Sequence, residues 1–564
     1  MSTQKNSRRS FIQKTLLATG GLVLAPNFIS CNDDDDFTSQ SIDTTGFTNI
    51  NFNEGVASFD PSDSKVIIWT RYNTPNKDIV WQISTDSNFD SILRNGIITT
   101  DPSRDNTIAI ELTGLDSDLK LYYRFINEED EAISVVGETI TLPQNATSLK
   151  LAVCSCSNYQ AGLFTVYDAM ANSEADIIVH LGDYFYEYEA GGYGSTAENA
   201  FLNRVHVPPG EILSLDDYRT RYKQYRSDSS LQLAHQKKPF ICVWDDHEVA
   251  NDAYRDGAEN HDEATEGSFE VRKQNALQAY SEFLPFTRQD ESNNSLIYRS
   301  FNIGNLVNLY MLDTRIIGRD KQLDINSYFT NSGFDVVAFQ TDLGDPNRTL
   351  LGAAQRDWLI SQIASSNAQW NVLGQQVLMG QMFIPIEVLT SFGTPNFNQI
   401  LTELVEIKLR VINNDPTLTP EEIARVTTVI PYNLDAWDGY PVERETIYSS
   451  LNGKKIVTLA GDTHNAWSNT LLSTNNTEIG VELATAGVSS PGFEAFIGTD
   501  PAAIAGFEQA LVILIDGLSY FDASRRGFLM TTFTGSEVTS EWMFVSTILS
   551  NNYSLEVGNT SVYS

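Results

Sequence analysis

Cysteine and basic side chains are both scarce in this 564-residue chain. The four cysteines stand at 31, 154, 156 and 242, which makes no disulfide framework. Lys and Arg together number 37 against 73 Asp and Glu, a formal net charge of −36. Such a surface repels phosphate backbones and disfavours nucleic acid as a bulk partner. It still admits a small phosphoester if bound metals supply local positive charge. Read blandly, the acidity serves solubility. Histidine is rare too, at six residues, so a His next to an Asp is worth noticing. Beyond the N-terminus no apolar run is long enough to span a bilayer, and no internal repeat is visible. With 41% apolar and 20% charged residues, a packed globular protein is expected rather than a disordered one.

The N-terminus reads as a targeting segment. Ser7-Arg8-Arg9-Ser10-Phe11-Ile12 is a twin-arginine pattern, and an interrupted apolar stretch follows from Leu16 to Phe28. Phe28-Ile29-Ser30-Cys31 resembles a lipobox, which would make Cys31 the acylated first residue of the mature chain. The run Asn32 to Asp36 resembles the acidic tether of surface lipoproteins. An ordinary cleaved signal with a chance Cys is the plainer alternative. The expected location is the periplasm, or the outer membrane or cell surface through a lipid anchor.

Residues 1–31 thus form the signal and 32–45 a polar linker. From 46 to 143 short strands alternate with polar turns, as in Lys65–Thr70, Ile79–Ile83 and Leu121–Phe125, which suits a small β-sandwich. Gly114-Leu115 with Tyr122-Tyr123 suggests a tyrosine corner. From 149 to about 550 strands alternate with helical patterns, as in α/β architecture. The stretch from Glu403 to Val429 looks helical.

Four polar clusters fall where strands should end: Cys154-Ser-Cys156, Gly182-Asp183-Tyr-Phe-Tyr186, Trp244-Asp-Asp-His-Glu248 and Gly461-Asp462-Thr-His464. In α/β sheets, sites form just beyond the strand ends. Carboxylates, imidazoles, a phenol and a thiol arriving there together suit two-metal hydrolysis. Asp183 can bridge two metals. Tyr186 can bind only a strongly Lewis-acidic one, since free Tyr titrates near pH 10, and ferric iron fits that demand. Taken alone, this cluster reads rather as a turn with a capping Asp and a packed Tyr. Cys156 is preferred as a thiolate ligand over Cys154, which lies closer to the buried strand, and Cys242 reads as a core residue. Asp246 beside His247 would place an imidazole over a phosphoryl group, where it can protonate a leaving oxygen. Asp462 and His464 project together from the last loop. His180 reads as a core histidine, and Arg204-Val-His206 as a weak phosphate-site candidate.

Together these clusters resemble the PhoD-type alkaline phosphatases, relatives of purple acid phosphatases and other calcineurin-like metallophosphoesterases. The resemblance also rests on Gly55–Pro61, Tyr225–Asp228, Leu312–Arg315, Asn347–Gly352, Trp437–Pro441 and Gly461–Trp467. It implies an α/β fold: a metallophosphoesterase-type sandwich of mixed β-sheets flanked by helices, preceded by a small all-β, fibronectin- or Ig-like domain. It implies iron held by Cys156, Asp183 and Tyr186 with His464. It implies calcium at a second site of Asp183, Asp246 and Asp462, with His247 facing the phosphate. The superfamily's further His is missing here, where the chain reads Leu373-Gly-Gln375-Gln376. The implied activity is an exported alkaline phosphatase acting on small phosphomonoesters, with phosphodiesters plausible. A phosphodiesterase or phospholipase D-like hydrolase on the same site is the alternative, and a non-catalytic surface lipoprotein the remote rival.

Overall fold

The computed structural model describes residues 42–564, apart from 291, 292, 332 and 452. The expected leader, the acylation site Cys31 and most of the acidic linker lie outside the described residues. Among the described residues no helix is long and apolar enough to cross a membrane.

Two large sheets carry the body. At the centre of a nine-stranded sheet run three parallel strands, Ser148–Cys154, Ile177–His180 and Phe240–Cys242, with Val153 opposite Val179 and Val179 opposite Ile241. A seven-stranded sheet is built around four parallel strands, Val307–Met311, Trp370–Gly374, Ile456–Ala460 and Glu478–Ala484. Strands covered on both faces read as continuous apolar runs, and Ile177–His180 and Ile456–Ala460 are buried throughout. The seven-stranded sheet nonetheless divides its side chains by the period of two. Val307, Leu309, Val372, Val457 and Leu459 join Leu151, Val153 and Val179 of the other sheet in one core. Tyr310, Leu373, Ile456 and Ala460 point the opposite way, into a second core under the helices Phe397–Ile412, Pro441–Ser450 and Pro501–Leu514.

The N-terminal strands are not set apart from the body. Val56–Phe59, Val66–Arg71 and Thr107–Leu112 form one edge of the nine-stranded sheet, and Phe59 pairs in parallel with Phe240. On the strand Val66–Arg71, Val66 and Ile68 face a five-stranded sheet made by residues 78–140, while Ile67 and Trp69 face the body. The β-sandwich therefore borrows one of its two sheets from the α/β fold. One local expectation fails. No tyrosine corner forms, since the Tyr123 hydroxyl is buried without a partner. The stretch 403–429 is helical as expected, shared between two helices, Phe397–Ile412 and Pro420–Thr427. Asn414 turns left-handed between them, and Thr419 and Glu422 form a capping box that starts the second.

Trp69 donates to the Glu282 carbonyl at 2.7 Å and lies under the Arg226 guanidinium at 4.4 Å. Trp69→Ala is expected to cost about 3–5 kcal/mol. Because its strand serves two cores, urea unfolding followed by fluorescence and by proteolysis within 78–140 should show one shared transition. Two separated transitions would make the sandwich an independent unit.

Candidate metal centre

The loops that follow the parallel strands of both sheets meet. Backbone bonds join Cys156 N to Gly182 O at 3.2 Å, Ser157 N to Asp183 O at 2.8 Å and Val488 N to Ser155 O at 2.9 Å. Two buried side chains staple the loops further. Glu248 accepts from the amides of Asp183 (3.0 Å), Tyr184 (2.5 Å) and Asp245 (2.7 Å). Gln376 accepts from Thr314 and donates to the carbonyls of Trp244 (2.6 Å) and Leu312 (2.9 Å). Gly182 has φ 108°, and a Cβ there would stand 2.5 Å from the Asp245 amide nitrogen, so no larger residue fits. Backbone strain gathers at the same place. Cys156, Asp183, Asp462 and His464 have φ of 64°, 55°, 62° and 62°. Left-handed backbone is uncommon for a residue other than glycine, and Cys156 tolerates it least of the four, since Asp and His adopt it more readily.

The side chains selected from the sequence are brought together. Donor atoms of Cys156, Asp183 and His464 lie within 4.8 Å of one another; so do those of Asp183, Asp246 and His247, and those of Asp245, Asp246 and Asp462. Asp183 belongs to the first two groups and Asp246 to the last two. The Tyr186 hydroxyl is 3.0 Å from both Asp183 Oδ2 and His464 Nε2. His464 Nδ1 lies 2.7 Å from the Pro491 carbonyl, which can only accept. The proton therefore sits on Nδ1, and Nε2 keeps a lone pair directed at the cluster, the usual arrangement of a metal-ligating histidine.

The electrostatics describe a place that wants positive charge. Burial, reinforced by neighbouring carboxylates, raises the Asp183 carboxyl well above its usual range, and burial likewise raises Asp245 despite Arg315. Burial pushes Asp462 up to about 7, against the pull of Arg315. Burial, then Asp183, raises both the Cys156 thiol and the Tyr186 phenol. Burial opposes ionisation of Asp246 as well, yet Arg315, His247 and the Asp252 amide bring it to about 2. Burial lowers His464 to about 4, so it is neutral and free to ligate. Asp183 Oδ1 and Asp245 Oδ2 are buried with no hydrogen-bond partner, which a bound cation would answer. The thiol, phenol and imidazole suit a transition metal, and the carboxylates a hard cation. The donor set thus fits metal binding.

Several contributors were not selected from the sequence. Asp245 completes the third group of donors. Arg315, fully buried, reaches Asp245 at 2.5 Å, Asp435 and Asp462 at 2.8 Å and Asp246 at 3.7 Å. Glu187 holds His247 Nδ1 at 2.7 Å and itself accepts from Asn251 N and Asn260 Nδ2. Burial would lower the His247 pKa, but Glu187, Asp246 and Asp183 together raise it well above the usual value. The residues at the place of the absent superfamily His are spent elsewhere. Gln376 acts as a staple, and Gln375 Oε1 accepts from Trp437. His180 is a core residue bonded to Tyr167. Arg204 is paired with Asp228, and His206 is buried against Tyr188 and Tyr225, so neither joins the cluster. Cys154 and Cys242 belong to the apolar core.

Residues 151–542 match the model of the PhoD-like phosphatases, and residues 38–143 that of the PhoD-like phosphatase N-terminal domain. The chain belongs to the PhoD-like phosphatases. Alkaline phosphatase D of Bacillus subtilis (strain 168) is 33% identical over 443 residues, which cover 75% of this chain and 66% of that protein. The solved structure of PhoD superposes with a TM-score of 0.73 at 29% identity, over 91% of this chain and 90% of that one. The all-β N-terminal part followed by mixed sheets flanked by helices is therefore the PhoD-like fold.

Asp462, Asp252 and Glu248 each have a folded pKa of about 7, above that of a free carboxyl. A raised acid favours folding while protonated, so its contribution is full below about pH 4 and is lost as pH rises to about 7. Metal-stripped protein is expected to melt higher at pH 5 than at pH 8, and added calcium should flatten that dependence. Thermal unfolding in chelator across this window checks it.

Proposed function

We propose that this protein is an exported, metal-dependent alkaline phosphatase that hydrolyses phosphomonoesters and also accepts phosphodiesters. The observation that carries the reading is that donor atoms of Cys156, Asp183 and His464, of Asp183, Asp246 and His247, and of Asp245, Asp246 and Asp462 converge in three linked groups. Cys156, Asp183, Tyr186 and His464 would hold ferric iron. Asp183, Asp246 and Asp462 would hold calcium, with the free oxygen of Asp245 in reach of the same group. When bound, the two cations would supply Lewis-acid charge for the phosphoryl oxygens and make water a stronger nucleophile.

The chain's own part is orientation and proton supply. Glu187 engages His247 Nδ1, which leaves Nε2 as the nitrogen for the leaving oxygen. The same carboxylate, with Asp246 and Asp183, favours the protonated form of His247. Arg315 neutralises acids that the cations do not reach. Export by the twin-arginine route, with a lipid anchor at Cys31, is proposed on the N-terminal pattern.

His247→Ala is expected to lower kcat by about 10²–10⁴-fold with metal content unchanged. Glu187→Gln removes the main support of the His247 proton, so the alkaline limb of the pH–rate profile should move to lower pH. A limb that stays put would remove His247 from the acid role. Elemental analysis with a visible spectrum tests the metal scheme, since Tyr186 on ferric iron colours a protein. A colourless, fully active enzyme would contradict the Tyr186 assignment, and full activity after prolonged chelation would count against the metal scheme. The ratio of turnover on mono- and bis-nitrophenyl phosphate decides between this reading and a phosphodiesterase or phospholipase D-like enzyme.

A further inference from the structure

Two rings pack against His247, the residue assigned to the leaving oxygen. Tyr186 lies 4.2 Å away between ring centres and is fully buried, while Tyr188 lies 5.4 Å away, edge-on, and is half-buried. A third ring continues the row. Tyr193 stands 5.7 Å from Tyr186, 5.7 Å from Tyr188 and 6.2 Å from His464, and is 38% exposed. Tyr188 and Tyr193 therefore form an aromatic rim that runs from His247 to His464, and the phosphatase chemistry described above does not use it. The rim is held in place although Tyr193 stands on a loop without helix or strand. The Tyr193 hydroxyl lies 3.1 Å from His464 Nδ1 and shares the proton that Nδ1 gives to the Pro491 carbonyl. The Tyr193 carbonyl accepts from Asn158 Nδ2 at 3.1 Å. Gly194 follows with φ 91°, and a Cβ there would stand 2.6 Å from the same Asn158 nitrogen, so the loop passes too close for a larger residue.

We propose that Tyr188 and Tyr193 are the subsite for the leaving group of the substrate, and that the alcohol they receive carries a planar aromatic ring close to the ester oxygen. The proposal rests on the phosphatase reading and narrows its substrate class. The leaving oxygen takes its proton from His247, so the carbon attached to it emerges beside that imidazole. Tyr186 and Glu187 are fully buried at this point, and the surface open to a departing group is the rim. A flat ring can lie offset on a tyrosine face or meet it edge-on, and either arrangement is worth about 2–12-fold in binding beyond the area covered. A saturated ring of the same size covers similar area but carries no quadrupole. A rim already fixed by His464 and Asn158 also needs no ordering when the substrate arrives.

The test uses the metal-loaded full chain with benzyl and cyclohexylmethyl phosphate. Both release a primary alcohol of similar acidity, so the chemical step is held nearly constant while the ring changes from flat to puckered. The expected result is a kcat/KM about 2–12-fold higher for the benzyl ester. Calorimetry should show benzylphosphonate binding more tightly than cyclohexylmethylphosphonate by a similar factor. Tyr188→Leu and Tyr193→Leu should each bring both ratios towards one, whereas Tyr193→Phe, which keeps the ring, should preserve them. Tyr193 is exposed, so folding is least at risk in its variants. Equal turnover of the two esters by the native enzyme overturns the subsite and leaves the phosphatase reading standing. A benzyl preference that neither leucine variant alters also overturns it. A preference lost as fully in Tyr193→Phe as in Tyr193→Leu assigns the effect to the hydroxyl on His464 and overturns it as well. Failure to hydrolyse either ester, with metals bound, overturns the phosphatase reading itself.

Discussion

Asp183, Asp245, Asp246 and Asp462 are buried in one small volume, and their repulsion is the problem that the surrounding structure solves. Unit charges a few ångströms apart and shielded from water interact by several kcal/mol. The guanidinium of Arg315 meets part of this demand, touching three of the four acids or coming within 3.7 Å of them. It does not reach Asp183, which keeps an unpartnered oxygen. The charge that remains is what a bound cation would answer. Removing Arg315 would leave several buried acids uncompensated, the costliest kind of loss for an ion cluster.

Holding like charges together also requires a frame that does not yield. Carboxylate and amide side chains do this work where helices or strands would not fit. Glu248 binds three amides from two different loops, and Asp313 accepts from the amides of Arg315 and Ile316 at 2.8 Å each, fixing the turn that aims the guanidinium. Gln376 crosses between the two sheets. A buried network of this type is rigid only when its members are satisfied, and these three are. The left-handed backbone at four of the candidate ligands is tolerable because those staples leave the chain no alternative.

Much of the site was legible because each donor sits directly after an apolar run that could only be a strand. Strand ends place Cys156, Asp183, Asp246 and Asp462 without any knowledge of the fold. What was not legible depends on partners far away in sequence. Arg315 meets Asp245 across 70 residues and Asp462 across 147. Gln376 looked like a missing histidine and proves to be a structural brace. Asp245 and Asp246 could not be separated by sequence, since both enter the cluster. The sandwich was expected as a unit of its own, yet Val66-Ile67-Ile68-Trp69 is apolar at every position. That run was the signal of a strand covered on both sides.

The path of the nine-stranded sheet bears on how the molecule can be made. Its neighbours bring Phe59 to Phe240 and Leu151 to Thr531. The outermost strand at one edge is Leu555–Tyr563, which pairs with Val538–Val545. The parallel strands at the sheet's centre are thus closed on one side only by strands from the far end of the fold, and pairings of such long sequence separation form slowly, so this sheet is completed late in folding.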